Sequence, residues 1–244
     1  MVSPGMTGSS GAGEVRLGAI GEAWSEVQKN LSTWIIAAVI YGVICFIFNV
    51  LQRAVGVKAL PDGTIGGSAA MGFLVWLISI AVGAFVIGGF YRMALKQLNG
   101  ESIAPGDIFS ASDVMPALVI ASLLSSIAIG IGALLCIIPG LILASLLMLA
   151  TPLIVDKNAS AVEALSQSFN TLKPHMGGSL VFLLAIAGIN ILGALLCGLG
   201  LLVSVPVSIV AVAIVYRDFF IGGTNISGDA NLFPPIPNIP PRTQ

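Results

Sequence analysis

Residues 114–155 and 176–216 contain no Asp, Glu, Lys, Arg or His. One charge at the centre of a membrane helix costs about 2.5–3.5 kcal/mol, and one Leu or Ile returns about 0.3–0.6 kcal/mol. A single central charge would therefore cancel about six good apolar residues. A soluble core built from such runs would need helices with a polar face, and these runs have none. The first run is 42 residues long. As helix it measures ~63 Å, about what two passes through a ~30 Å hydrocarbon core require. There is room for two spans and almost no loop. The remainder of the chain agrees: 57% of all residues are apolar and 9% charged, against about 45–50% and about 25% in soluble domains. The fold class expected is an all-α polytopic membrane bundle of six transmembrane helices arranged as three hairpins.

The two runs share a word. Gly132-Ala133-Leu134-Leu135-Cys136 recurs as Gly193-Ala194-Leu195-Leu196-Cys197. Gly- and Pro-interrupted stretches follow each copy, with Pro139 and Gly140 in the first, then Gly198, Gly200 and Pro206 in the second. Each run closes at an acid, Asp156 or Asp218. Two related hairpins are implied, turning near Cys136–Gly140 and Cys197–Gly200. Spans are expected at about 33–51, 68–90, 114–136, 139–155, 177–197 and 200–216. Pro116 falls in the first turn of the third span, where proline is tolerated. Asn99-Gly100 closes the second.

Each pair of spans is led in by an amphipathic segment, at 17–31, 103–113 and 159–172. In the first, Leu17, Ile20, Trp24, Val27 and Leu31 recur at helical steps, with Trp24 expected at the headgroup layer. The membrane domain thus covers 17–218. Residues 1–16 read as a disordered tail, and 219–244 as a tail favouring polyproline, with Pro234, Pro235, Pro237, Pro240 and Pro241. The first span lacks a small-residue cleavage site and is expected to stay as a signal anchor. Arg16, Lys29, Arg92, Lys96, Lys157, Lys173 and Arg217 fall on one side and Arg53 and Lys58 on the other. By the positive-inside rule both termini are cytoplasmic.

Chemistry is sparse. The single histidine, His175, cannot form a zinc-protease motif. Ser122, Ser125 and Ser126 have no base at depth, and are expected to bond to carbonyls of the preceding turn or to a neighbouring helix. The glycine clusters lack the strand–loop–helix setting of a phosphate loop and suit close packing, as do the pairs Ala38/Gly42, Ala84/Gly88, Ala128/Gly132 and Ala194/Gly198. Cys136 and Cys197 could pair on an oxidising face, although free cysteine serves equally as a small apolar residue. No enzyme, metal, cofactor or nucleic-acid chemistry is expected. The candidate structural or pathway residues are Asn49, Asn190, Pro139, Gly140, Pro206, Asp156 and Asp218.

The segments Gly88-Gly89-Phe90-Tyr91, Leu98-Asn99-Gly100-Glu101, Gly106-Asp107-Ile108-Phe109, Ile138-Pro139-Gly140-Leu141, Pro152-Leu153-Ile154-Val155-Asp156 and Ala161-Val162-Glu163-Ala164-Leu165-Ser166-Gln167-Ser168 carry a resemblance. Over roughly residues 20–220 the chain resembles bacterial six-span inner-membrane proteins of unknown function. That group is similar to the membrane domain ahead of some glycerophosphodiester phosphodiesterases. The resemblance implies six helices in a bacterial cytoplasmic membrane and transfers no catalytic residue.

Two functions fit. The first is a non-enzymatic scaffold or accessory subunit, whose partners are the lipid bilayer and a membrane or cytoplasmic protein met by the lead-in helices and the proline-rich tail. The second is a transporter or lipid-handling carrier, which requires a polar cavity among spans three to six. The interruptions at Pro139-Gly140 and Gly198–Gly200 lie near turns rather than mid-span, and the spans hold no ionisable group, so the first is favoured.

Overall fold

The computed structural model describes residues 15–59, 65–196 and 198–221. A short lead-in helix, α1 (Gly18–Lys29), runs into α2 (Leu31–Val55) and α3 (Ala69–Leu98). Two 3-10 turns, Pro105–Phe109 and Ala111–Val114, precede α4 (Met115–Leu135). The return span is divided into α5 (Ile137–Leu146) and α6 (Ala150–Lys157). A second lead-in helix, α7 (Ala161–Leu172), precedes α8 (Met176–Leu195) and α9 (Leu201–Phe220). Six helical segments among the described residues are long and apolar enough to cross a membrane. The protein is an all-α polytopic bundle. Between α2 and α3, Lys58 pairs with Gly66 and Ala59 with Ile65 in a two-rung antiparallel ladder. Residues 60–64 of this loop lie outside the described residues, as do Cys197 and the expected tails apart from residues 15–16 and 219–221; Val15 is buried and Arg16 is ion-paired, in contrast to the disorder expected through residue 16.

Local chemistry fixes the ends. The Ser68 hydroxyl accepts the Met71 N–H and the Ser160 hydroxyl that of Glu163, each at 3.4 Å, capping α3 and α7. Gly100, at φ +80°, ends α3, and the Glu101 N–H returns to the Lys96 carbonyl at 3.0 Å. The middle lead-in segment is not an α-helix, in contrast to its expected character. Pro105 opens it, and its Ile108 carbonyl is pressed against Gly89 of α3, where a Cβ would stand 1.8 Å from the oxygen. A bulkier helical coil would not fit there.

The repeated pentapeptide has a packing explanation. A Cβ on Gly132 would lie 3.1 Å from Cα of Gly140, and one on Gly200 only 2.6 Å from Cα of Gly193. Each repeated hairpin therefore crosses itself backbone to backbone at its tip. Of the small-residue pairs, Ala84/Gly88 faces Leu118 of α4, and Gly132 meets Gly140. Gly42 and Gly198 have open space around them, and Gly198 serves the turn with φ +77°.

Helix α9 is the hub. Every residue from Ile209 to Tyr216 is buried, and it packs on α1, α2, α3, α6 and α8. Trp34 stacks on Phe90 beside it, with ring centroids 6.1 Å apart. The first lead-in helix does not lay its whole apolar face into lipid: Ala19, Ala23 and Val27 are fully buried by the bundle, whereas Leu17 and Trp24 remain exposed. The expected stripe is split because α1 presents its small residues to α9 and its large ones outward.

Candidate functional site

The fourth span breaks at Leu147–Leu149, halfway along 137–157. Pro152 explains the place: it has no N–H for the Met148 carbonyl four residues earlier, and its ring crowds that carbonyl. Ser168 of α7 stabilises the break. Its hydroxyl donates to the Leu146 carbonyl at 2.7 Å and accepts the Leu149 N–H at 3.1 Å, fully buried. One serine thus satisfies two backbone groups that the interrupted ladder leaves open.

The break forms one wall of a cavity of about 410 Å³. Ile87 and Tyr91 of α3 contribute, as do Ser122, Ser125 and Ser126 of α4, Thr151 of α6, Leu183 and Ile186 of α8, and Ser208 and Val212 of α9. Ser125 is the central residue of α4, and the contributions of α8 and α9 also fall near their midpoints. The cavity therefore extends from mid-span toward the ionic end at Tyr91 of α3, walled by spans two to six, and no Asp, Glu, Lys, Arg or His lines it.

Its hydroxyls divide into two classes. Ser208 is committed: it donates to the Ser204 carbonyl at 2.7 Å and accepts from the Asn190 amide at 2.7 Å. The hydroxyls of Tyr91, Ser122, Ser125, Ser126 and Thr151 make no hydrogen bond within the described chain. The expected bonds from the α4 serines to the preceding turn are absent. Ser79, Ser145 and Ser179 do make that bond, as does Ser208 within the same cavity.

None of the seven residues singled out from sequence lines this cavity. Asn190 stands behind it. Its amide donates to the Ile186 carbonyl at 2.9 Å and to Ser208, and its carbonyl accepts from Ser204 at 2.9 Å. These bonds join α8 to α9 around Pro206, whose missing N–H interrupts the first turns of α9. Pro139 and Gly140 belong to the hairpin tip. Asn49 lies apart, in a groove of about 300 Å³ between α2 and α3 with Tyr41, Cys45, Gln52, Trp76 and Ser79. Asp156 accepts the Tyr216 hydroxyl at 2.6 Å. Asp218 accepts Arg16 at 2.7 Å.

The last two pairs belong to an ionic belt at the end of the bundle that carries α1. Arg16 bridges Asp218 and Glu22, Arg92 meets Asp113 at 2.8 Å, Lys96 meets Asp107 at 2.9 Å, and Arg217 donates to the Leu98 carbonyl at 2.8 Å. Gln97 is buried there, accepting Trp34 Nε1–H at 2.7 Å and donating to the Glu26 carbonyl. The hydrogen bonds that the Arg16 guanidinium donates to Asp218 hold it more firmly protonated than a free arginine, with burial opposing. Burial pushes the Asp107 carboxyl up, but the Ala104 N–H and the Lys96 ammonium outweigh it and leave Asp107 below the ordinary carboxylate range.

Among the described residues, no group of His, Cys, Asp and Glu could hold a metal ion. Sequence reasoning noticed the α4 serines and Ser168 but did not join them. Pro152, with free serines at the same depth on a neighbouring span, was the available signal.

The chain is 28% identical over 219 residues to "Uncharacterized protein Rv2560" of Mycobacterium tuberculosis (strain ATCC 25618 / H37Rv), covering 82% of this chain and 66% of that protein. It is equally similar to "Uncharacterized protein Mb2590" of Mycobacterium bovis (strain ATCC BAA-935 / AF2122/97). The chain thus spans just under two thirds of these curated relatives. No family model matches it, and no solved structure does. The comparisons do not reach the phosphodiesterase membrane domain that the residue pattern resembles.

Proposed function

We propose that the protein is a membrane carrier rather than an enzyme, working through the mid-span cavity. One observation carries this reading: unpaired hydroxyls converge on open space at the depth where the fourth span is broken. A broken span at mid-depth supplies polar backbone where lipid would forbid it, and it is tolerated because it lines a cavity. The scaffold reading is weakened by the lead-in helices. Ala19, Ala23, Val27, Ala164, Ser168 and Leu172 are buried against the bundle, so much of the surface meant for partners is already used internally. We place the carrier in a bacterial cytoplasmic membrane with both termini inside, on the strength of the basic residues gathered at the α1 end.

The test is flux into liposomes containing the purified protein. Ser125→Phe would fill the cavity at the centre of α4 and should abolish any flux the parent supports, with little change in the thermal midpoint. Parent-level flux through Ser125→Phe would remove the cavity from the path.

A further inference from the structure

The walls of the cavity also say what kind of molecule suits it. On the carrier reading, we infer that the solute is small, uncharged and hydrogen-bonding, and that it crosses without moving charge. An ion brought to mid-span must leave its hydration shell, and that loss is tolerable only beside an opposite charge or a dense shell of aligned dipoles. Neither is present. The nearest acids and bases in sequence are already engaged: Arg92, beside Tyr91, is held by Asp113 and the Ser110 carbonyl, and Asp156 by Tyr216. The break supplies little net field, because the negative C-terminal end of α5 meets the positive N-terminal end of α6 across three residues. What the wall does offer is five free hydroxyls, those of Tyr91, Ser122, Ser125, Ser126 and Thr151, each able both to donate and to accept. That is the complement of hydroxyl or amide groups on a neutral molecule, for which desolvation costs far less than for an ion.

The cavity is partly open to its surroundings, so its volume of about 410 Å³ gives the room beside the hydroxyls and not an upper size; a solute of on the order of ten non-hydrogen atoms reaches them. Urea and erythritol are no larger. The apolar part of the wall, with Ile87, Leu183, Ile186 and Val212, accommodates the carbon face of a polyol and offers an ion nothing.

Stopped-flow light scattering from liposomes bearing the full chain tests this with urea and erythritol, with and without an imposed membrane potential. Radiolabelled sodium uptake is followed in the same vesicles. Entry of at least one neutral probe should exceed that into empty liposomes, and the potential should not change its rate. Ser122→Ala with Ser125→Ala should slow it about three- to tenfold, the equivalent of one or two lost hydrogen bonds. Ser125→Thr, which keeps the hydroxyl, should recover most of the flux that Ser125→Ala loses and so separates lost bonding from a damaged fold. Potential-driven sodium uptake that Ser125→Ala reduces, with both neutral probes at the empty-liposome rate, would overturn the inference while leaving a carrier. If no probe of either kind moves faster than in empty liposomes, the carrier reading fails together with it.

Discussion

Ser168 shows how much one hydroxyl can hold. Replacing it with alanine leaves the Leu146 carbonyl and the Leu149 N–H without their partner in a buried setting. The expected loss is about 1–3 kcal/mol, read as a lowered unfolding midpoint in detergent, whereas Ser166→Ala on the exposed side of α7 should change little. Asn190 and Asn49 make a second contrast. Asn190→Leu breaks three hydrogen bonds around Ser204 and Ser208 and should lower stability. Asn49→Leu sits in another groove and should leave flux through the mid-span cavity unchanged. At the ionic belt, the folded-state depression of Asp107 gives a contribution present above the unfolded carboxylate pKa and lost as pH falls through the lower, folded one. Acid should therefore weaken the Lys96 contact below about pH 4. Asp107→Asn should flatten that part of the pH–stability curve.

The broken fourth span is the element on which the cavity depends. Pro152→Ala would return an N–H to the Met148 carbonyl and allow a continuous helix over 137–157. In an unbroken helix position 152 would be interior, where proline costs about 3 kcal/mol; alanine removes that bar to the continuous form, and the variant should lose flux. A variant that transports normally would show that the break is dispensable. Periodicity and punctuation made most elements legible: the ends at Leu98, Leu135 and Leu195, Pro116 in the first turn of α4, and both hairpin turns. The break escaped notice because the eye follows glycine. Pro139-Gly140 drew attention, yet Pro139 is in the first turn of α5, where its missing N–H matters little. Pro152 needs Ser168 from another helix to complete the picture, and no linear pattern reports a partner sixteen residues away. The α4 serines were misjudged for a related reason. Ser208 bonds back to its own helix while the α4 serines in the same cavity do not, and no linear pattern reports which rotamer a serine takes.

At the scale of the whole molecule, three hairpins share one ionic end. Arg16 on Asp218 and Arg217 on the Leu98 carbonyl tie the beginning and end of the described chain to the close of α3. With that end cytoplasmic, a thiol introduced beside Lys58 should be modified by an impermeant reagent on intact cells, and thiols beside Lys96 or Lys157 should not; the opposite pattern would invert the orientation. The central claim, however, is that water and solute reach mid-span among the helices. It is tested most directly in membranes by replacing the native cysteines and introducing one at Ser125, within the cavity, or at Ile127, which is 56% exposed on the outer surface of α4. Iodoacetamide alkylates a hydrated, ionisable thiol and spares one in lipid. Ser125→Cys should react and Ile127→Cys should not; a silent Ser125→Cys, or equal reaction at both positions, would contradict the account.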